Sequence, residues 1–256
     1  MLAIISDIHS NLEALTAVLE DIKRRGAREI YCLGDIIGYG PDPGDCLDLV
    51  QTSTTKAILG NHDHAVLYGP EHFNSGAEGA VYWTRKKLEE TQDRQLLRRR
   101  WEYLASLDER FTIYPPETGG MNMLVVHGSP RKPISEYVFP DDSRTSPAKM
   151  TGIFERFAHL CFVGHTHLPG VFTEKEGFVS PNDLGWIYDI NEEKALINVG
   201  SVGQPRDRDP RASYVIIYDK KVEFVRVTYD TNVTMMKVFN TDDLDNFLGS
   251  RLQDGR

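Results

Sequence analysis

Short apolar runs with polar, glycine-marked ends recur along this chain of 256 residues. Leu2–Ser6 is an apolar run of strand length. After it, Leu12, Leu15, Val18, Leu19 and Ile22 recur at the spacing of one helix face, and Gly26 follows as a stop. Ser10 and Glu13 have capping-box spacing at the start of that helix. Glu29–Leu33 reads as the second strand and Lys56–Leu59 as the third, with a short helix near Asp45–Val50 between them. This βαβαβ rhythm predicts parallel strands with right-handed crossovers.

Residues 76–107 are helical in composition and charged, and read as a helical hairpin inserted before the next strand. The run Arg98-Arg99-Arg100 within it reads as a solvated helix face, with the steering of an anionic substrate as the alternative. Asn122–Val126 and Leu160–Val163 are further strands, separated by a helix around Ser146–Phe157. Beyond Gly164 the pattern turns β-rich. Ile187–Ile190, Ala195–Val199, Ser213–Tyr218 and Val222–Thr228 read as shorter, largely antiparallel strands, with a hairpin turn at Asp219-Lys220. Residues 232–252 read as a C-terminal surface helix. A second sheet packed on the first would bury both, so the expected fold is α/β, one domain over 1–256, with helices outside two central sheets.

The polar clusters fall just after strands. They are Asp7-Ile8-His9, Gly34-Asp35, Gly60-Asn61-His62-Asp63, Val126-His127-Gly128 and Gly164-His165-Thr166-His167. Such distant side chains converge if their strands lie side by side and end on one edge of a sheet, where ligand sites of open α/β sheets form. Asp7 and His9 are two apart, so a continuing strand would point both the same way. The donor set is oxygen and nitrogen without thiolate, which suits a hard-to-borderline divalent cation and is large enough for two. Asp35 can give one oxygen to each ion. His64, His72 and His159 lack such context and are assigned surface or core roles, His64 lying close enough to line the cleft.

Composition narrows the setting. Hydrophobic residues make up 40% and charged residues 26%, as in ordinary globular chains, which excludes disordered and fibrous classes. A formal charge of −9 argues against general nucleic-acid binding through a positive field. Cys32, Cys46 and Cys161 lack metal-like spacing, and a sparse, odd set fits a reducing compartment. The first strand begins at Leu2, which leaves no room for a signal peptide, and no apolar run approaches the length of a bilayer span. The expected compartment is the cytoplasm.

The ordered set Asp-x-His, Gly-Asp, Gly-Asn-His-Asp, His-Gly and Gly-His-Thr-His resembles the calcineurin-like metallophosphoesterase superfamily. The motifs span Asp7 to His167, and the run Asn198–Arg206 resembles its small prokaryotic phosphodiesterases. The resemblance implies a four-layer α/β/β/α sandwich in which Asp7, His9, Asp35 and His167 hold one metal. Asp35, Asn61, His127 and His165 would hold the other, and His62 would donate a proton to the leaving group, with Asp63 a candidate to orient it. Mn²⁺ is the leading expectation for the metal, with Fe, Zn or Ni admitted by the mixed oxygen and nitrogen ligands.

One departure is informative. Protein Ser/Thr phosphatases and symmetrical diadenosine tetraphosphate hydrolases carry Gly-Asp-x-Val-Asp-Arg-Gly and Gly-Asn-His-Glu, whereas this chain has Gly34-Asp35-Ile36-Ile37-Gly38-Tyr39-Gly40 and Gly60-Asn61-His62-Asp63. The phosphate-clamping Arg and the Asp before it are absent. Arg206 is a substitute phosphate contact, with pairing to Asp207 or Asp209 as an equal alternative. The expectation is a two-metal phosphodiesterase acting on a small-molecule phosphoester through a bridging hydroxide. Its alternatives are a phosphomonoesterase, including a protein or nucleotide phosphatase, and a non-catalytic scaffold like the retromer subunit of this fold. Retention of His62 and every ligand position favours the enzyme. The surface choosing the substrate is expected from Gly38–Pro43, the helical insertion and Ser129–Asp142, and a homo-oligomer stays open.

Overall fold

Side chains alternate across a strand, so a strand that is apolar at every position must be covered on both faces. Leu2–Ile5 shows this. Leu2 and Ile4 join one apolar cluster, Ala3 and Ile5 a second, and all four are buried. In the computed structural model, which describes residues 1–256, the elements begin β1 (Leu2–Ile5), α1 (Leu12–Arg25), β2 (Glu29–Cys32), α2 (Pro43–Ser53), β3 (Lys56–Ala57) and α3 (Asn61–Tyr68). The helix pair α4 (Ser75–Glu89) and α5 (Arg94–Ala105) leads to β4 (Arg110–Ile113) and β5 (Met123–Val126). There follow α6 (Asp142–Thr145), α7 (Pro147–Phe154), β6 (Leu160–Val163), β7 (Gly170–Thr173), β8 (Gly177–Val179), β9 (Ile187–Asp189) and β10 (Ala195–Asn198). The chain closes with β11 (Ala212–Tyr218), β12 (Lys221–Val227), α8 (Thr231–Phe239) and α9 (Asn246–Asp254).

The strands form two mixed sheets of six, ordered β3-β2-β1-β11-β12-β9 and β4-β5-β6-β10-β7-β8. β1, β2 and β3 run parallel, as the βαβαβ rhythm predicts. Leu2, Ile4, Val215 and Ile217 of the first sheet meet Val125, Phe162 and Ile197 of the second in a shared core. Outside the first sheet, Ala3, Ile5 and Ile216 pack on Leu15, Val18 and Ile22 of α1. Outside the second, Cys161, Val163 and Leu196 pack on Met150, Ile153 and Phe154 of α7. The result is the expected α/β/β/α layering. All three cysteines are free and buried.

Several details differ from the sequence reading. The expected convergence on one sheet edge is instead convergence of two sheets. Asp7 and Asp35 follow β1 and β2 of the first sheet, while His127 and His165 follow β5 and β6, which are parallel neighbours in the second. Asn11, not Ser10, caps α1 by accepting from the Ala14 N–H, and Glu13 turns away to bond Thr234 and Lys237 of α8. The C-terminal stretch forms two helices rather than one, because Asn240 ends α8 and Asp245 caps a new start. β4, β7 and β8 were not anticipated; β4 is a half-exposed edge strand and the others have at most four residues, too short for a clear period. Within the charged run, Arg98 is exposed, but Arg100 is mostly covered and grips Asp48 of α2 through Nε (3.1 Å) and Nη2 (2.7 Å).

Candidate metal centre

The backbone leaves the strands abruptly at the candidate residues. β1 ends at Ile5, and Asp7 and His9 have φ of 54° and 49°, so they are not on the continuing strand that the spacing implied. Asp35, His165 and His167 are also left-handed, at 50°, 65° and 60°. Such conformations cost a non-glycine residue on the order of 1–3 kcal/mol and persist only where neighbours over-determine them. Here the Asp7 N–H donates to Gly34 O (3.0 Å), the His9 N–H to Asp35 O (2.9 Å), and the Asp7 carbonyl accepts from Gly203 N and Ser201 Oγ. Two glycines permit close approach. A Cβ at Gly60 would overlap the Asp35 carboxylate, and one at Gly164 would overlap the Ser6 and Asp7 side chains.

These turns bring all seven candidate ligands into one group, six of them buried and Asn61 partly open to the cleft. His9 Nε2 lies 3.1 Å from His167 Nε2, 3.6 Å from Asp35 Oδ2 and 3.8 Å from Asp7 Oδ1. His167 Nε2 is 3.2 Å from Asp7 Oδ1. On the other side, His127 Nε2 is 3.3 Å from Asp35 Oδ2, 3.2 Å from His165 Nδ1 and 3.0 Å from Asn61 Oδ1. The groups Asp7–His9–His167, His9–Asp35–His62 and Asp35–His127–His165 each have metal-ligand spacing, and Asp35 belongs to two of them.

The hydrogen bonds around the imidazoles set which nitrogen faces inward. His127 Nδ1 donates to Leu33 O (2.8 Å) and His167 Nδ1 to Gln204 O (2.5 Å), which aims each Nε2 into the group. Asp35 Oδ1 accepts from the His62 backbone N–H (2.8 Å) and both Asp7 oxygens from the His165 N–H, leaving the other lone pairs inward. His9 Nδ1 and His165 Nε2 are buried without a partner. Crowded acceptors of this kind repel one another unless positive charge lies among them.

Charge follows the same geometry. Burial alone would raise both carboxyls, but His167 and His127 around Asp7, and His127 and His62 around Asp35, hold them below the usual carboxylate range. Burial pulls His127 down, yet the neighbouring Asp35 and Asp7 prevail and push it up to about 9. Burial depresses His9 and His167, and lowers His165 to about 3 with help from His127. Carboxylates and neutral imidazoles are the metal-binding forms, and the proton on His127 supplies the positive charge a cation would bring. The residues present fit a divalent metal.

His62, also buried, lines a cleft of ≈ 500 Å³ beside the group, together with Asn61 and His165. Its ring packs against Tyr39 (4.2 Å between centroids) and edge-on to Phe73 (4.9 Å), and burial lowers its pKa to about 4. Asp63 does not orient it. That carboxylate accepts the Gly60, Ile36 and Ile37 N–H groups, tying α3 to the loop after β2. Arg206 pairs with neither Asp207 nor Asp209, which are taken by Arg226 and Arg211. Its Nη2 donates to Gln204 Oε1 (2.7 Å), its Nε is buried without a partner, and its guanidinium lies 5.9 Å from the Tyr39 ring. His64 lines the cleft, His72 does so against expectation, and His159 sits far off, bonded to Asn122.

The sequence reading named the loops of Tyr39 and Tyr137 but not these side chains, and Phe73 lies just before the insertion it named. Tyr137 stacks on His165 at 3.8 Å and 22°, and Tyr39 and Phe73 line the same cleft. The available signal was a set of large aromatics in polar loops close to the motifs.

Known proteins share this sequence and fold. The family model for the calcineurin-like phosphoesterase superfamily domain matches residues 1–221. The chain is 42% identical over 262 aligned positions to the uncharacterized protein MJ0912 of Methanocaldococcus jannaschii, covering 100% of this chain and 98% of that one. It is similar to the crystal structure of a metallophosphoesterase from Sphaerobacter thermophilus, with 38% identity, TM-score 0.81, and coverage of 100% and 98%. The hypothetical protein PH1004 from Pyrococcus horikoshii OT3 shares the fold at 23% identity, TM-score 0.75, and coverage of 100% and 99%. No helix is long and apolar enough to cross a membrane. With the family model spanning most of its length and relatives of 42% and 38% identity covered almost end to end, the chain belongs to the calcineurin-like phosphoesterase superfamily.

Proposed function

We propose that this protein is a two-metal phosphodiesterase. Asp7, His9 and His167 would hold one ion, Asn61, His127 and His165 the other, and Asp35 would be shared by both. The observation that carries this reading is Asp35 Oδ2, which lies 3.6 Å from His9 Nε2 and 3.3 Å from His127 Nε2 and so joins the Asp7–His9–His167 group to the His127–His165 group. When bound, two divalent ions offset phosphate charge and supply a nucleophile near neutral pH by acidifying water.

The protein's own groups do the rest. Arg206, half-buried beside Tyr39 and the His167 carbonyl, is the cation that would meet a phosphate oxygen. His62 donates to the departing oxygen. Burial keeps its ring neutral before substrate arrives, and the incoming phosphate is the anion that favours its protonation. A diester is favoured over a monoester because it brings a single negative charge. One arginine serves here, and the position of the missing clamp holds Tyr39, whose ring leans on His62 and His9. The test is hydrolysis of bis-p-nitrophenyl phosphate by demetallated protein refilled with single metals. Mn²⁺ restores turnover, whereas full activity without metal would overturn the reading.

A further inference from the structure

Cations are unevenly placed along the cleft. Beside the metal group stands Arg206, whose backbone N–H bonds His167 O (3.3 Å) and whose guanidinium lies 5.9 Å from the Tyr39 ring. No lysine or arginine lines the cleft of ≈ 500 Å³ beyond it, and its one carboxylate is Glu71, on the loop between α3 and α4. A second phosphate there would meet no permanent cation, only the His64 and His72 imidazoles, and would face an acidic side chain. Charged groups enter a partly closed site at high cost unless paired.

The walls have the opposite character. Tyr39, Phe73, Ile134 and Tyr137 offer apolar and ring surface, while Asn74 and Ser135 offer neutral hydrogen-bonding groups. The Tyr137 ring is braced by two stacked neighbours, His165 at 3.8 Å and Phe139 at 5.4 Å and 6°. Such a pocket holds a ring by burial and orients it through a few polar contacts.

Resting on the phosphodiesterase reading, we propose that the substrate carries one phosphate only and that its organic arm in this cleft is an uncharged, ring-bearing group of nucleoside size. The arm fills the space between the α3–α4 loop and Ile134–Tyr137. Its ring displaces water from Phe73 and the Tyr137 edge, and its polar edge meets Asn74 and Ser135. Selection acts on binding, through the ring that is accepted and the second anion that is refused.

The experiment measures diester binding to the Mn²⁺-loaded protein by calorimetry under conditions too short or too cold for turnover. Thymidine 5′-(methyl phosphate) binds at least about tenfold more tightly than dimethyl phosphate, and adding a 3′-phosphate loses about tenfold or more. Phe73→Leu shrinks the advantage of the nucleoside over dimethyl phosphate, and Glu71→Gln shrinks the penalty of the 3′-phosphate. Equal binding of the nucleoside and dimethyl esters overturns the proposal. So does tighter binding of the 3′-phosphorylated ester, or of choline methyl phosphate, whose arm is cationic. Binding is read without turnover, so failure to hydrolyse bis-p-nitrophenyl phosphate counts against the phosphodiesterase reading and leaves this result separate.

Discussion

At the scale of single residues, Asp35 has the most demanding position. Its Oδ1 is held by the His62 N–H, while Oδ2 lies within 3.6 Å of both His9 and His127. Asp35→Asn keeps the size and removes the charge that offsets repulsion between two cations. It lowers metal occupancy at both sites and nearly eliminates turnover, whereas His127→Ala chiefly affects one; elemental analysis of the purified variants checks this. His62 differs because its Nδ1 has no partner and its ring faces the cleft. His62→Ala keeps its metals and loses ~10²–10⁴ in kcat. That loss shrinks as the leaving group becomes more acidic, a trend read from a series of aryl diesters. These candidate residues were legible because each sits beside a glycine or in a short polar cluster after an apolar run. The partners that orient them were not. Leu33 O and Gln204 O are backbone carbonyls, and any residue type supplies one.

At the scale of elements, the three consecutive arginines tie α5 to α2 unequally: Arg99 reaches Asp48 at 3.4 Å from an exposed position, and Arg100 holds it more closely from a covered one. Arg100 forks onto Asp48 of α2 and donates Nη1 to Thr91 Oγ1 (3.0 Å), while Arg98 bonds only Glu102 on its own helix. Arg100→Ala should cost ~1–3 kcal/mol, since it removes a two-pronged charged contact that is largely shielded from water. Arg98→Ala should fall within ~0.5 kcal/mol, as expected of an exposed pair on one helix. Urea unfolding of both variants checks the contrast. The three arginines are indistinguishable as letters, and only the seating of α5 on α2 decides which is covered. Likewise, Ser10 and Asn11 are both good caps. Asn11 prevails because the chain is left-handed at Ser10, and the Asn11 Nδ2 also bonds Gly203 O (2.8 Å).

At the scale of the whole molecule, the candidate ligands come from both sheets, Asp7 and Asp35 from one and His127, His165 and His167 from the other. Bound metal therefore cross-links the two halves of the sandwich and favours the folded state. Mn²⁺ at about a hundredfold over its dissociation constant stabilises by ~2.7 kcal/mol per site. Calorimetric Tm should rise on adding Mn²⁺ to demetallated protein and fall with a chelator. In Asp35→Asn the rise should be much smaller. An unchanged Tm across the titration would show that the ions do not bridge the sheets.

By itself the sequence determined the local grammar. Apolar runs at strand and helix periods placed β1, α1, β2, β5, β6 and β10, and the polar clusters at their ends named the candidate chemistry. These signals are local, because a strand buried on both faces must be apolar throughout and a turn near a ligand must be small or left-handed. Tertiary structure alone decided that two sheet rims, not one, meet at the candidate centre. It also sent Asp63 to the backbone of Gly60, Ile36 and Ile37, and left Arg206 free of the aspartates beside it. It set Tyr39, Phe73 and Tyr137 around one cleft from three separate loops. Each of these is a contact between segments distant in the chain, governed by how the layers pack, and no spacing along the chain encodes it.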